Sequence, residues 1–265
     1  MGEEPPVERA GGKETETNRL GLGSLKIKQS PAIFKFTVDP ILLAAFARVR
    51  PGETVLDLGT GAGVIPLWLT GYRGIRRVTG LELQPEVADL ARENVRLNGL
   101  AERIRIITGD LRNPPPELTP GSFDWVLSNP PYWPAGTHPM PEAPCLARAK
   151  FELTCNLEEV IRAAAAFSRY GGRVAFIHLP ERLTDLLSVM RQYRLEPKRL
   201  CLVLPKPGAS PHRVLVEGEK LARPGLKIMA PFSIHGPDGR FSPEMEAVYR
   251  GGELGKEFKS SGNTI

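Results

Sequence analysis

The chain has little cysteine, and what it has is poorly placed for structural chemistry. Three residues, Cys145, Cys155 and Cys201, form an odd set with no metal-ligand spacing. They exclude a disulfide framework and suit a reducing, cytoplasmic setting. No apolar run approaches the roughly 18 residues of a membrane span, and the acidic, Gly-rich stretch from Met1 to Thr17 does not resemble a signal peptide. No internal repeat is present. A Gly-x-Gly-x-x-Gly fingerprint and a Lys-Ser/Thr after the glycines are also missing, so neither a dinucleotide nor a triphosphate site is matched. Metal is therefore not expected, nor a membrane, and a dehydrogenase reading fails.

What is present is an alternation of strands and helices over 265 residues. Residues 1–20 lack hydrophobic periodicity and are expected to be a disordered tail. Residues 21–50 form a segment with a short strand or hairpin, then a helix begun by Asp39-Pro40, Asp as cap and Pro in the first turn. Thr54 to Leu58 is a strand, followed by Gly59-Thr60-Gly61-Ala62-Gly63 and an apolar helix. Glycines there allow a tight turn and close approach of backbone to ligand. Arg77 to Glu82 is a second strand, and an acidic residue at its end accepts hydrogen bonds from ribose hydroxyls. Ile104 to Ile107 is a third, with Asp110 placed to contact an adenine amino group or to cap the segment that follows.

The fourth strand, Phe123 to Ser128, ends in Asn129-Pro130-Pro131-Tyr132. Two prolines remove two donors and stop the ladder. An amide, free carbonyls and an aromatic ring are thereby gathered at a strand's carboxyl end, suited to a planar nitrogen-bearing group. A long Pro-containing loop, 133–151, reads as a lid. An Ala-rich helix follows, then Gly171-Gly172, expected to break it, and a fifth strand, Arg173 to His178. His178 reads as a satisfied buried histidine. Two last strands, Arg199 to Leu204 and Arg213 to Glu217, form a hairpin. From Arg191 to Lys227 there are nine Lys or Arg against three Glu, compatible with a phosphate backbone or with a solvated face. Residues 252–265 are expected to fray.

With Val55-Leu56-Asp57-Leu58-Gly59-Thr60-Gly61-Ala62-Gly63, Gly80-Leu81-Glu82, Gly109-Asp110 and Asn129-Pro130-Pro131-Tyr132 in this order, the chain resembles the class I S-adenosylmethionine-dependent methyltransferases. Phe36-Thr37-Val38-Asp39-Pro40-Ile41-Leu42-Leu43, Pro180-Glu181-Arg182-Leu183, Leu195-Glu196-Pro197-Lys198-Arg199-Leu200 and Arg213-Val214-Leu215-Val216-Glu217-Gly218 make it similar, within that class, to the bacterial tRNA(Val) adenine N6-methyltransferase family. The resemblance implies a Rossmann-like, α/β, seven-stranded and mostly parallel sheet over residues 51–251, with helices on both faces and a terminal antiparallel hairpin. It implies S-adenosylmethionine over Gly59, Gly61 and Gly63, with Glu82 on the ribose and Asp110 on the adenine. Asp57 would order the methionine amino end unless it only caps the turn. Asp39 would begin a helix closing over the cofactor, and Asn129 would touch it.

The implied reaction is methylation of an adenine amino group in RNA, most readily a tRNA anticodon loop, whose bases extrude cheaply. Asn129 and Pro130 would accept the amine N–H groups, and Tyr132 would stack on the base. Pro131, Trp133 and Lys150, with Lys198, Arg199 and Lys206 of the basic stretch, are the candidate RNA contacts. Relatives usually carry a His where this chain has Phe151, so any role it has in placing RNA is absent here or served by His138. Other readings stay open: methylation of ribosomal RNA or DNA, methylation of a glutamine in a translation release factor, and a non-catalytic RNA-binding module. Only about 50 residues precede the glycine turn, without the extra helical domain that the release-factor enzymes carry. Nothing in the sequence speaks to oligomeric state.

Overall fold

The computed structural model describes residues 16–21, 23–29, 37–132 and 155–255. A two-stranded antiparallel hairpin comes first, β1 (Glu16–Arg19) with β2 (Lys26–Gln29). Part of the expected tail is thus a strand; residues 1–15 lie outside the described residues.

The main sheet is built from β3 (Thr54–Leu58), β4 (Arg77–Glu82), β5 (Ile104–Thr108), β6 (Phe123–Ser128), β7 (Ser168–His178), β8 (Leu195–Leu204) and β9 (Arg213–Lys220). Two short strands, β10 (Lys227–Ile228) and β11 (Phe232–Ser233), pair in parallel with β8. The order is β10-β8-β9-β7-β6-β3-β4-β5. Pairing from β5 through β7 is parallel, and β9 runs antiparallel to both β7 and β8. The seven long strands and the terminal hairpin match the expected architecture. The two short strands were invisible to periodicity, which needs more than two residues to register.

Alternation along the strands divides the core in two. Val55, Trp125, Leu127, Ala175, Ile177 and Leu215 belong to one cluster. Their neighbours Leu56, Val126, Val174, Phe176, Val214 and Val216 belong to the other. Both faces are apolar, so both must be covered. Helices α1 (Asp39–Phe46), α2 (Val64–Arg73) and α6 (Pro243–Tyr249) supply buried residues to the first cluster. Helices α4 (Leu157–Phe167) and α5 (Leu183–Gln192) supply the second. The remaining helix, α3 (Pro85–Leu97), ends at Asn98-Gly99.

Several local readings need correction. Val38, not Asp39, occupies the cap position of α1, with no side-chain cap. Residues Pro180–Arg182 form a short 3-10 turn that leads into α5. Strand β7 begins at Ser168 and carries Gly171-Gly172 within it, beside an irregularity where pairing with β6 shifts register. A side chain at Gly172 would sit 2.9 Å from the Arg169 carbonyl, so only glycine passes there. Residues 252–255 are packed, with Leu254 buried and its N–H donating to Ala45 O at 2.9 Å; 256–265 lie outside the described residues. Among the described residues no helix is long and apolar enough to cross a membrane.

The basic stretch does not form one surface. Arg199 is buried, paired with Glu217 at 2.7 Å, donating to Phe46 O at 3.0 Å and lying over the Phe46 ring at 4.4 Å. Lys220 donates to the carbonyls of Ala165 and Ser168, which end α4. Arg199 is therefore an internal tie, not an RNA contact: its neighbours on β8 alternate, and this row faces α1. Replacing it leaves Glu217 with Arg173, 3.0 Å away, and the charge of Arg48 to balance its own. Arg199→Ala should lower unfolding free energy by about 3 kcal/mol; a urea titration showing under about 0.5 kcal/mol would contradict this assignment.

Candidate active site

Register brings the carboxyl ends of β3, β4, β5, β6 and β7 to one edge: Leu58 pairs with Leu81 and Ser128, Glu82 with Thr108, and Ser128 with Phe176. Because β9 is antiparallel, its first residue, Arg213, lies at the same edge. The chain leaves β3 on one side and returns to its other side through β6, and such a switch opens a crevice at the carboxyl edge. A cavity of about 360 Å³ occupies it.

The glycine turn forms one wall. Gly59, Gly61 and Gly63 all have positive φ. Gly59 and Thr60 N–H donate to Leu81 O, at 2.9 and 3.0 Å. Gly61 N–H donates to Glu82 Oε2 at 2.9 Å, and Gln84 N–H donates to Glu82 Oε1 at 3.0 Å. The acidic strand end thus braces the turn it faces. Burial pushes the Glu82 carboxyl up, against these donors. Gly59 and Gly61 line the cavity. Gly63 does not: it starts α2 and passes Ala91 of α3, where a side chain would meet Ala91 Cβ at 3.5 Å. Its positive φ serves the turn into α2.

Asp57 is fully enclosed, and among the described residues neither carboxylate oxygen has a hydrogen-bond partner of ordinary geometry. Burial pushes its carboxyl up to about 7; the nearby Thr60 hydroxyl opposes this and the Glu82 carboxylate adds to it. Asp110 is different. Its carboxylate accepts from Arg112 N–H at 2.9 Å and from the Arg112 guanidinium at 2.6–3.0 Å, which holds it below the usual carboxylate range. It both lines the cavity and ties its own turn.

The opposite wall is the turn after β6. Ser128 Oγ donates to Leu58 O at 2.8 Å, fixing it to β3. Asn129, Pro130, Pro131 and Tyr132 all line the cavity, with Pro130 buried. The Tyr132 phenol lies 2.9 Å from Asp39 Oδ2 and within hydrogen-bond reach of Asn129 Oδ1. Arg213 Nε donates to the same Asp39 oxygen at 2.9 Å, and its guanidinium covers one face of the Tyr132 ring at 4.6 Å. Burial, then the Asp39 charge, hold the phenol well above its usual range, with Arg213 opposing. The ring meets His178 edge-on at 5.5 Å. Nδ1 of that histidine accepts from Leu179 N–H at 2.8 Å, and Nε2 has no hydrogen-bond partner among the described residues. Burial lowers it to about 4, aided by Arg182 and Arg213.

Of the sequence-chosen residues, Asp39, Asp57, Gly59, Gly61, Glu82, Asp110, Asn129, Pro130, Pro131 and Tyr132 meet at this cavity. With Arg213 over one face of the Tyr132 ring, at most the other is left for stacking. Lys206 is exposed at the β8–β9 loop, at the cavity's edge of the sheet. Lys198 is not: it precedes Arg199, which aligns through Glu217 with Ala175, about 10 Å short of that edge, and its amine donates to Arg223 O at 3.1 Å. Trp133, Lys150, His138 and Cys145 lie outside the described residues. The residue sequence reasoning missed is Arg213; its motif was noted, but its partner Asp39 is 174 positions away.

The methyltransferase small domain model matches residues 25–143. A tRNA1(Val) (adenine(37)-N6)-methyltransferase of Porphyromonas gingivalis is 34% identical over 82% of this chain and 88% of the relative. One of Tolumonas auensis is 29% identical over 84% of this chain and 91% of the relative. Among solved structures, a predicted O-methyltransferase from Agrobacterium tumefaciens has a TM-score of 0.67 at 24% identity, over 83% of this chain and 99% of that one, a likeness of fold.

The cavity's donor set fits S-adenosylmethionine. The unpaired Asp57 carboxylate suits its ammonium group. Glu82 keeps lone pairs for ribose hydroxyls beyond its two backbone donors. In the free chain the raised Asp57 carboxyl contributes stability that is complete below the ordinary carboxylate range and is lost as pH climbs through about 7. Asp57→Asn should therefore melt higher than the parent chain at pH 8. Affinity for S-adenosylhomocysteine, by calorimetry, should rise between pH 6 and 8 in the parent and stay flat and weak in the variant. A parent affinity indifferent to pH would contradict an ammonium contact at Asp57.

Proposed function

Because the chain belongs to the tRNA1(Val) (adenine(37)-N6)-methyltransferase family, an S-adenosylmethionine-dependent family, we propose that it methylates the exocyclic amine of an adenine in the anticodon loop of tRNA(Val). The observation that carries this reading is the Asn129-Pro130-Pro131-Tyr132 turn on the cavity wall opposite the glycine turn and Glu82.

An adenine amino nitrogen is a weak nucleophile because its lone pair is delocalised into the ring. Its two N–H groups donate to the Asn129 amide oxygen and the Pro130 carbonyl, which favours a pyramidal nitrogen. Both acceptors are neutral, so no base is needed before attack; the proton leaves after transfer, when the nitrogen is cationic. His178, buried and lowered to about 4, is neutral at working pH and offers no cation near that nitrogen. Tyr132 stacks on the base with the face Arg213 leaves open, worth roughly 1–3 kcal/mol. Bound cofactor supplies the electrophilic methyl group. The rest of the rate is orientation for in-line transfer.

Three substrates separate the readings: unmodified tRNA(Val), ribosomal RNA and a release factor, each with labelled S-adenosylmethionine. The expected outcome is label on tRNA, recovered as N6-methyladenosine. Asn129→Ala should cut it by about a hundredfold, the size of losing one preorganised polar contact at a reacting atom. Label on the release factor alone would move the substrate to a protein amide.

A further inference from the structure

The Tyr132 hydroxyl has one proton and two oxygens facing it, Asp39 Oδ2 at 2.9 Å and Asn129 Oδ1. It cannot donate to both. Asp39 is a buried carboxylate in an ion pair with Arg213, whose Nη1 is itself anchored on His212 O at 2.7 Å. Hydrogen bonds to an ionised acceptor are roughly twice as strong as neutral ones. The proton therefore goes to Asp39, and the phenol oxygen turns lone pairs toward Asn129.

An amide oxygen facing those lone pairs is repelled. A half-turn of the amide costs no change of shape; Nδ2–H then donates to the phenol oxygen and Oδ1 swings to the other side, into the cavity. The reverse arrangement would pin Oδ1 on the phenol and present Nδ2–H donors to an amine that also donates. We propose that Arg213 and Asp39 are positioning residues that, through the Tyr132 hydroxyl, aim the Asn129 amide oxygen at the substrate amine.

This rests on the methyltransferase reading of the site, and the two can fail separately. Tyr132→Phe frees the amide to adopt either orientation and should lower kcat on tRNA about tenfold. Asp39→Ala should do worse, about a hundredfold, because the phenol proton now turns to Asn129 and locks its oxygen away. The double variant Asp39→Ala/Tyr132→Phe should recover several-fold over Asp39→Ala, stopping short of Tyr132→Phe alone because Arg213 stays unpaired. A purely structural or cofactor-binding role for Asp39 gives the opposite, a double variant at least as impaired as Asp39→Ala, and that result overturns the proposal. A second measurement needs neither substrate nor Asp39→Ala. In 15N spectra of the cofactor-saturated protein, the side-chain amide signal lost in Asn129→Ala should show one slowly exchanging proton, absent in Tyr132→Phe. An unprotected amide in the parent overturns the proposal even if tRNA is methylated; a protected amide without methylation of tRNA sustains it while the substrate reading falls.

Discussion

Arg213 on Asp39 is the contact on which the site depends. It joins the first residue of an antiparallel strand to the first turn of α1 across 174 positions, with the two side chains 19% and 3% exposed. A charge pair so enclosed is costly to half-remove. Its consequence is geometric: α1 cannot leave the sheet edge without breaking it, and the same two residues hold Tyr132, Asp39 at its hydroxyl and Arg213 over one ring face. The turn after β6 is thus held from three elements, by Ser128 on Leu58, by Asp39, and by Arg213.

A second brace acts at the other wall. Asn94, buried in α3, donates to Ala62 O at 3.0 Å and to Lys28 O at 3.1 Å, and accepts from Lys28 N–H at 2.7 Å. One amide therefore stands in for a neighbouring strand to β2 and also ties the glycine turn. Asn98, one helical turn on, repeats the exchange with Lys26. The N-terminal hairpin is thereby part of the scaffold behind the cofactor wall.

The elements legible in the sequence were those with local signals. Strand period, glycine punctuation and the two prolines after Asn129 gave the walls of the cavity, because each of those effects acts within a few residues. What escaped were long-range partnerships. Asp39 before Pro40 carries the local mark of a helix cap, yet its carboxylate serves a distant arginine. Arg199 looked like surface charge because composition cannot distinguish a guanidinium in water from one over Phe46 and beside Glu217. Gly63 matched a motif, and its φ of 83° at the start of α2 accounts for a glycine there by backbone geometry.

The chemistry proposed for these contacts is orientation, not acid–base catalysis: the proposed amine acceptors, Asn129 and Pro130, are neutral, and the nearby histidine is held uncharged. The most direct measurement is a crystal structure with S-adenosylhomocysteine and an anticodon stem-loop bearing the target adenosine. The account predicts the adenine amine within hydrogen-bond distance of Asn129 Oδ1 and Pro130 O, the base on the Tyr132 face opposite Arg213, and Asp39 still on Arg213. An adenine bound with its amine directed away from Asn129, or α1 displaced with Arg213 unpaired, would contradict it.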